Sequence, residues 1–301
     1  MSQRLFTRLV LIFIPLLLVA PNLPASDFAK EQRWAEQIVD MLIEGDAVWL
    51  EAGGHRFLAI YTQAQADDPK RGVIVMHGIG VHPNWDQVIY PLRTGLAERG
   101  MSTLSLQMPI LPNEAEAIEY APLIATAGPR IEAGIRFLKA KGVAEIVIAA
   151  HSLGATMAAH YLAGEAADVR ALVAIGMGGR SDEPRMDTVS LLGRIHIPVL
   201  DLYGSDDLPQ VLRSVAQRAT AARAAGNKAY REIRVADTNH FFDGKDDVLL
   251  DTVSDWLAAA LWTMLLVPNW ENLTGECGWS TRQYVRWMKT VAKRTFIDES
   301  E

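Results

Sequence analysis

The chain has very little cysteine and no strongly basic segment. Its 301 residues include one cysteine, Cys277, so no disulfide can form within the chain and its stability has to come from packing. No histidine follows Cys277, and we expect this thiol to be incidental rather than catalytic. The 29 Lys and Arg residues are outnumbered by 36 Asp and Glu residues, for a formal charge of −7, and they form no basic cluster. Binding to nucleic acid is therefore not expected.

A membrane-spanning run is lacking at the start of the chain as well. The apolar segment 9–20 has only 12 residues and contains Pro15, whereas a spanning helix needs about 20 residues. Arg4 and Arg8 precede this segment, and the sequence PNLPAS follows it. This order of basic, apolar and small residues is typical of a secretory signal peptide, with cleavage after Ala25. We expect the mature protein to be exported, to the periplasm, with no stable membrane span.

The remainder has the composition of a globular protein. Of all residues 50% are hydrophobic and 22% are charged, and no internal repeat or low-complexity segment is present. We expect one domain over residues 26–268, because α/β chains of this length often do not divide. Residues 269–301 follow Pro268 and are expected to form an extension with one amphipathic helix over 281–296. That helix is expected to pack on the domain, and its basic residues leave contact with a membrane surface as an alternative.

Strand and helix patterns alternate along the domain after an amphipathic opening helix that begins at Phe28. Strands are predicted over 48–53, 56–62, 72–78, 101–109, 144–150, 171–177, 198–204 and 230–236. Helices are predicted over about 85–99, 129–141, 152–163, 207–225 and 247–267. The alternation predicts an eight-stranded, mostly parallel sheet with helices on both faces. The first two strands are separated by Gly-His and predict a hairpin at an antiparallel edge.

Ser152 lies between a predicted buried strand and a predicted helix, in the sequence AAHSLGA. A nucleophile elbow occurs at such a junction and requires small residues two positions before and two positions after the serine. These residues are Ala150 and Gly154, with alanine standing where glycine is usual. A serine that caps a helix fits the same position, so the rest of the chain has to distinguish a nucleophile from a cap.

A nucleophilic serine needs a base and an acid, and the two last strands offer both. Of seven histidines His240 is the best placed, because it follows the last strand in VADTNHFFDG and the loops at that edge of a parallel sheet converge. The preceding strand ends in LYGSDDLP, where Asp207 is the predicted acid and Asp206 the alternative. The chain order Ser152, Asp207, His240 is that of nucleophile, acid and base in one hydrolase fold. His77 is expected to orient its loop.

The oxyanion site is expected to consist of two backbone N–H groups. Leu153 supplies one at the start of its helix, and Ile79 supplies the other from the loop after the third strand. His82 and Trp85 follow that loop and are predicted to line the substrate cleft, although Trp85 can instead anchor the next helix in the core. Only residues 178–197 separate the sixth and seventh strands, so we expect an open cleft with little or no lid.

The motifs HG, HSLG, GSDD and NH stand at the ends of four of the predicted strands, the third, fifth, seventh and eighth, and resemble those of the α/β-hydrolase fold superfamily over residues 73–260. The sequence HGIGVHPNWDQVIYPLRTGLAERGMSTLSLQMP is similar to an exported bacterial family of α/β-hydrolase-like proteins whose function is not established. The resemblance implies a serine hydrolase scaffold but supplies no substrate, and some members of the fold have lost catalysis. We expect an esterase or related acyl hydrolase with no metal or cofactor, which acts on a small-molecule or polymeric acyl substrate. A peptidase, a thioesterase and a non-catalytic binding protein of the cell envelope are the alternatives.

Overall fold

The structure is a computed structural model that describes residues 26–66, 70–164, 168–271, 274–275 and 278–286, with the side chains of 261–271 left out. The predicted signal peptide and Cys277 lie outside the described residues. So does most of the predicted tail helix, of which 281–286 are described and helical, with Tyr284 buried. No described helix combines the length and the apolar character that a membrane span needs.

Within the described residues a single sheet contains eight strands. They are β1 (Asp46–Ala52), β2 (His55–Thr62), β3 (Arg71–Met76), β4 (Ser102–Leu106), β5 (Glu145–His151), β6 (Ala171–Ile175), β7 (Val199–Asp206) and β8 (Tyr230–Asn239). Their order across the sheet is β1-β2-β4-β3-β5-β6-β7-β8. β2 pairs antiparallel with β1 and with β4, and the other neighbours are parallel. The predicted eight-stranded, mostly parallel sheet with an antiparallel opening hairpin is confirmed.

Helices cover both faces of this sheet. They are α1 (Phe28–Met41), α2 (Ile89–Glu98), α3 (Ala121–Ile124), α4 (Ala127–Ala140), α5 (Leu153–Leu162), α6 (Thr188–Leu192), α7 (Pro209–Ala224) and α8 (Asp246–Glu271). Side chains of β3 alternate between two apolar clusters: Ile74 packs in one with α4 and α5, and Val75 packs in the other with α2 and α8. A strand that is buried on both faces has a continuous apolar sequence, as GVIVMHG does.

Three helices differ from the sequence pattern. α2 begins at Ile89 rather than near residue 85, because the preceding Val88 has φ 61° and a right-handed helix does not continue through that conformation. The helices α3 and α6 are not predicted at all. They have four and five residues, and a helical period of 3.6 residues cannot be recognised over a single turn.

The last helix extends beyond the predicted end of the domain. Pro268 predicts a helix end at residue 267, but α8 runs to Glu271. Proline removes one backbone hydrogen bond, and with three helical residues after it this break falls in the last turn. The folded part of the chain therefore does not stop at residue 268.

Candidate active site

Ser152 occupies a sharp turn between β5 and α5. Its backbone has φ 54° and ψ −121°, a conformation that residues other than glycine rarely adopt. The turn is held to the neighbouring strand because the N–H of Ser152 donates to the carbonyl of Ile175 at 2.8 Å. Ser152 directly precedes α5, but its side chain accepts no capping hydrogen bond from the described first turn of that helix. The geometry is that of an elbow and not that of a helix cap.

Small residues allow β3, β5 and α5 to approach at this turn. A Cβ atom on Gly154 would lie 2.5 Å from the carbonyl oxygen of His77, and one on Gly78 would lie 2.8 Å from the Ser152 Cβ. Both distances are shorter than any real contact, so glycine is required at these two positions. Ala150 is 1% exposed and its methyl group is part of the apolar core. Alanine in place of the usual glycine is therefore accommodated by packing.

Hydrogen bonds join Ser152 to His240 and His240 to Asp207. His240 Nε2 is 2.9 Å from Ser152 Oγ, and His240 Nδ1 is 2.6 Å from Asp207 Oδ1. His240 directly follows β8 and Asp207 directly follows β7, so both lie at the sheet edge where Ser152 directly follows β5. Both side chains are buried, at 7% and 4% exposure. The alternative acid Asp206 is exposed and forms the last residue of β7, opposite Asn239.

The Asp207 carboxylate is oriented by backbone donors as well as by the imidazole. The N–H of Leu208 donates to Oδ1 at 2.7 Å, and the N–H of Gly204 donates to Oδ2 at 3.4 Å. These bonds satisfy the oxygens of a carboxylate that has little contact with water. They hold it in the plane from which it accepts the Nδ1 proton of His240.

Gly176 is a site residue that the sequence analysis missed. It has φ 57°, and a Cβ atom there would lie 2.8 Å from His240 Cε1 and 3.4 Å from Asp207 Oδ2. Glycine at this position leaves room for the imidazole and the carboxylate to meet. The signal in the sequence is a glycine in the last two residues of the sixth predicted strand (171–177), at the same edge of the sheet as the other site residues.

His151, next to the serine, is the second site residue that was missed. Its ring is 3% exposed and lies 4.7 Å from the His240 ring. Nε2 is 2.9 Å from the His240 carbonyl oxygen, which only accepts, so Nε2 carries the proton. Burial, reinforced by the charge that His240 can carry, lowers the pKa of His151 to about 4. His151 is thus a neutral donor to the backbone of His240.

His77 anchors the loop that carries Ile79. Its Nδ1–H donates to the Gly78 carbonyl at 2.9 Å, and its Nε2 accepts the Met108 N–H at 2.9 Å. Burial lowers the pKa of His77 to about 3, so the ring stays neutral and makes both bonds. Ile79 and Leu153, whose N–H groups are the expected oxyanion donors, line the same cavity as Ser152.

A cavity of about 380 Å³ opens at Ser152 and His240. Its walls come from the start of α5, the loop after β6, the start of α7 and the loop after β8. The loop after β6 holds only the short helix α6, and the fold has little or no lid. Most of the lining is apolar, and Arg180 supplies the charged side chain among the lining residues described. Among the described residues no group of His, Cys, Asp and Glu is arranged to hold a metal ion.

His82 and Trp85 do not belong to the lining of this cavity, contrary to the prediction. The His82 ring lies between Trp34 and Trp85, with both centroid distances at 5.4 Å. The segment is held against the core because Ser105 Oγ donates to the Pro83 carbonyl at 2.7 Å. Trp85 packs against the apolar cluster beneath α2. The alternative prediction, in which Trp85 anchors the next helix, fits this packing.

The sheet order, the elbow and the residues at its edge define the class of protein: an α/β-hydrolase fold. Solved structures with this fold include Est1E from Butyrivibrio proteoclasticus, 15% identical over 72% of this chain and 99% of that one, with a TM-score of 0.57. An esterase from Pyrococcus furiosus is 14% identical over 74% of this chain and 94% of that one, with a TM-score of 0.58. An α/β serine hydrolase without a lid from Xanthomonas campestris is 15% identical over 72% of this chain and 95% of that one, with a TM-score of 0.54.

Within this class the chain belongs to the family described as "Protein of unknown function (DUF3530)", whose profile matches residues 20–129 and 126–259. This agrees with the resemblance to a family whose function is not established. A search of curated protein sequences found no match.

Proposed function

We propose that this protein is a serine hydrolase that cleaves carboxylic esters through a covalent acyl-enzyme. The observation that carries the proposal is the continuous hydrogen-bonded path from Asp207 through His240 to Ser152, with distances of 2.6 and 2.9 Å, at a cavity. A serine hydroxyl becomes a nucleophile when a positioned base takes its proton. His240 Nε2 is within reach of that proton, and Asp207 holds the tautomer in which Nε2 is free to accept it.

The proposed reaction has two steps. Ser152 Oγ attacks the ester carbonyl carbon while His240 takes the hydroxyl proton, and His240 then returns that proton to the departing alcohol. A water molecule next gives its proton to His240 and attacks the acyl-enzyme. His240 finally protonates Ser152 Oγ, which releases the carboxylic acid and restores the enzyme.

The negative charge on the carbonyl oxygen would be met by the backbone N–H groups of Leu153 and Ile79. Leu153 is the first residue of α5, where unpaired N–H groups and the helix dipole favour an anion. Ile79 is held by the neutral His77 link described above. Both residues line the cavity beside Ser152, which supports this assignment.

The same three residues are able to cleave amides and thioesters, and the likeness to an esterase of this fold favours esters. A panel of short-chain esters, thioesters and peptide amides of equal acyl group would separate the three. Hydrolysis of the ester at least tenfold faster than that of the other two supports the proposal.

Labelling by a fluorophosphonate probe tests the nucleophile directly. The folded protein is expected to label, and Ser152→Ala is expected not to. Ser181→Ala is the matched control, because Ser181 lines the same cavity but its hydroxyl accepts the Glu183 N–H at 3.1 Å, and it should label like wild type. Absence of labelling in a folded wild-type protein would support a non-catalytic binding protein of the cell envelope instead.

We also propose that residues 1–25 are a signal peptide and that the domain acts in the periplasm. The first two described residues, which follow the expected cut, already contact the domain: Ile110 N–H donates to Ser26 Oγ at 2.8 Å, and Asp27 N–H donates to the Ile110 carbonyl at 2.8 Å. Cleavage after Ala25 therefore leaves these contacts in place. Cell fractionation and N-terminal sequencing are expected to find a periplasmic chain that starts at Ser26.

A further inference from the structure

The cavity at Ser152 has an apolar lining built from separate elements. Leu153 comes from α5, Met186 from the segment before α6, Leu208 and Val211 from the start of α7, and Phe241 from the loop after β8. A site of this kind stabilises a ligand mainly by removing apolar surface from water. Thr156, Ser181 and Gln210 add polar groups to the lining, but apolar side chains outnumber them. The cavity therefore favours apolar groups over sugars and other groups that need many hydrogen bonds.

The positive charge at the cavity faces both water and a carboxylate. The Arg180 side chain is 61% exposed and its Nη1 lies 3.5 Å from the Asp187 carboxylate, which also accepts the Ser190 hydroxyl at 2.5 Å. Asp187 is 7% exposed, so it has few water contacts and depends on these partners. A carboxylate on a substrate would have to compete with Asp187 for Arg180. The arrangement favours a neutral ligand.

The volume limits the size of that ligand. A cavity volume of about 380 Å³ is near the lower end of the range for small-molecule sites, roughly 300–1,000 Å³. It therefore suits an acyl chain of medium length, which we take as about eight carbons, rather than a long chain.

We infer that the substrates are esters of neutral, apolar, medium-chain carboxylic acids, and that the cavity receives the acyl group. This inference rests on the proposed function. The acyl group is assigned to the cavity because it stays bound to Ser152 Oγ between the two steps, whereas the alcohol departs after the first. Ser152 itself lines the cavity.

A series of p-nitrophenyl esters with acyl chains from two to twelve carbons tests the inference on the mature wild-type protein. We expect kcat/KM to rise about fourfold per added methylene. The rise should level off near eight carbons. A parallel series of acetate esters with alcohols of the same lengths is expected to change much less. A flat or falling acyl series, or a rise confined to the alcohol series, would overturn the inference.

The variant Gly178→Leu tests whether this cavity determines the preferred length of the acyl chain. A Cβ atom on Gly178 would have Thr156 Oγ1 as its nearest neighbour, at 3.9 Å, so a side chain has room there. Gly178 and Thr156 both line the cavity, and the leucine would fill part of it. Gly178→Leu is expected to lower kcat/KM for the octanoyl ester at least tenfold more than that for the acetyl ester.

Gly128→Leu is the matched control, because its Cβ would meet only an ordinary contact, Tyr161 Cδ2 at 3.7 Å, and Gly128 is not a lining residue. It should keep the wild-type chain-length profile. Should Gly178→Leu not fold, Met186→Ala enlarges the same cavity and is expected to move the optimum to longer chains. An unchanged profile in the folded variant would overturn the assignment to this cavity.

Two outcomes separate this inference from the proposed function. If the protein neither labels nor hydrolyses the acetyl ester, the proposed function is wrong and the inference is overturned with it. If it hydrolyses the acetyl ester but prefers an acyl chain with a terminal carboxylate, and Arg180→Ala removes that preference, the enzyme stands and the neutral apolar acyl site is wrong.

Discussion

The side chain of His151 donates a hydrogen bond to the backbone carbonyl of His240 at 2.9 Å, across 89 residues of sequence. The residue before the proposed nucleophile therefore holds the residue proposed as its base. A neutral imidazole in this place links the elbow of β5 to the loop after β8. Its effect on the reaction would act through the position of the His240 ring.

Replacing His151 by phenylalanine should lower kcat about tenfold with little change in KM, because the His240 carbonyl loses its donor and the imidazole loses its alignment. His151→Gln retains an N–H donor and is expected to recover most of the rate. Steady-state kinetics on both variants, with thermal unfolding as a check of folding, measures this. Equal losses in the two variants would indicate a packing role only.

The two adjacent aspartates provide a matched pair of substitutions. Asp207→Asn is expected to lower kcat by about 10⁴, because the amide no longer holds the tautomer in which His240 Nε2 accepts a proton. Asp206→Asn changes an exposed side chain and should leave kcat within threefold. Both variants are measured with the acetyl ester. A large loss in Asp206→Asn alone would show that the acid has been assigned to the wrong residue.

Gly176→Ala is expected to lower kcat at least a hundredfold, because its methyl group would overlap His240 Cε1 at 2.8 Å and displace the ring. Positive φ alone costs an alanine on the order of 1 kcal/mol. Gly226→Ala controls for that cost, since Gly226 has φ 78° and a Cβ there would meet nothing within 4 Å. We expect both variants to lose similar stability and only Gly176→Ala to lose activity.

The sheet and the position of the site could be predicted because they follow from patterns that are local in sequence. Strand runs alternate with helix runs, and parallel strands place Ser152, Asp207 and His240 at one edge. The choice between Asp206 and Asp207 is decided by which side chain faces inward at the end of β7. The sequence spacing favours Asp207, but only the structure shows which of the two side chains contacts His240.

Contacts between distant segments could not be predicted. The roles of Gly176 and His151 depend on the distance between their atoms and His240, which lies on another loop. The position of His82 and Trp85 outside the lining of this cavity could not be predicted for the same reason. Their loop is drawn to the core by hydrogen bonds with β4 and α2, and nothing in its own sequence gives that direction.

The two neutral buried histidines make the stability of the fold depend on pH. Burial lowers the pKa of His77 to about 3 and that of His151 to about 4, from an ordinary value of 6.5. Below pH 6.5 the unfolded chain therefore binds protons that the folded chain does not. This stabilisation is fully present above pH 6.5 and is lost as the pH falls towards 4 and 3. For His151 the loss is on the order of 3 kcal/mol.

Urea unfolding between pH 7 and pH 4.5 should show this loss, with a contribution of about 1.4 kcal/mol per pH unit from each histidine. In His77→Gln the amide can donate to the Gly78 carbonyl and accept from the Met108 N–H, but it binds no proton. The free energy of unfolding of this variant is therefore expected to fall less steeply with acid, by that amount. Identical slopes in His77→Gln and wild type would mean that the imidazole of His77 is protonated in the folded protein, and its two hydrogen bonds could then not both exist as described.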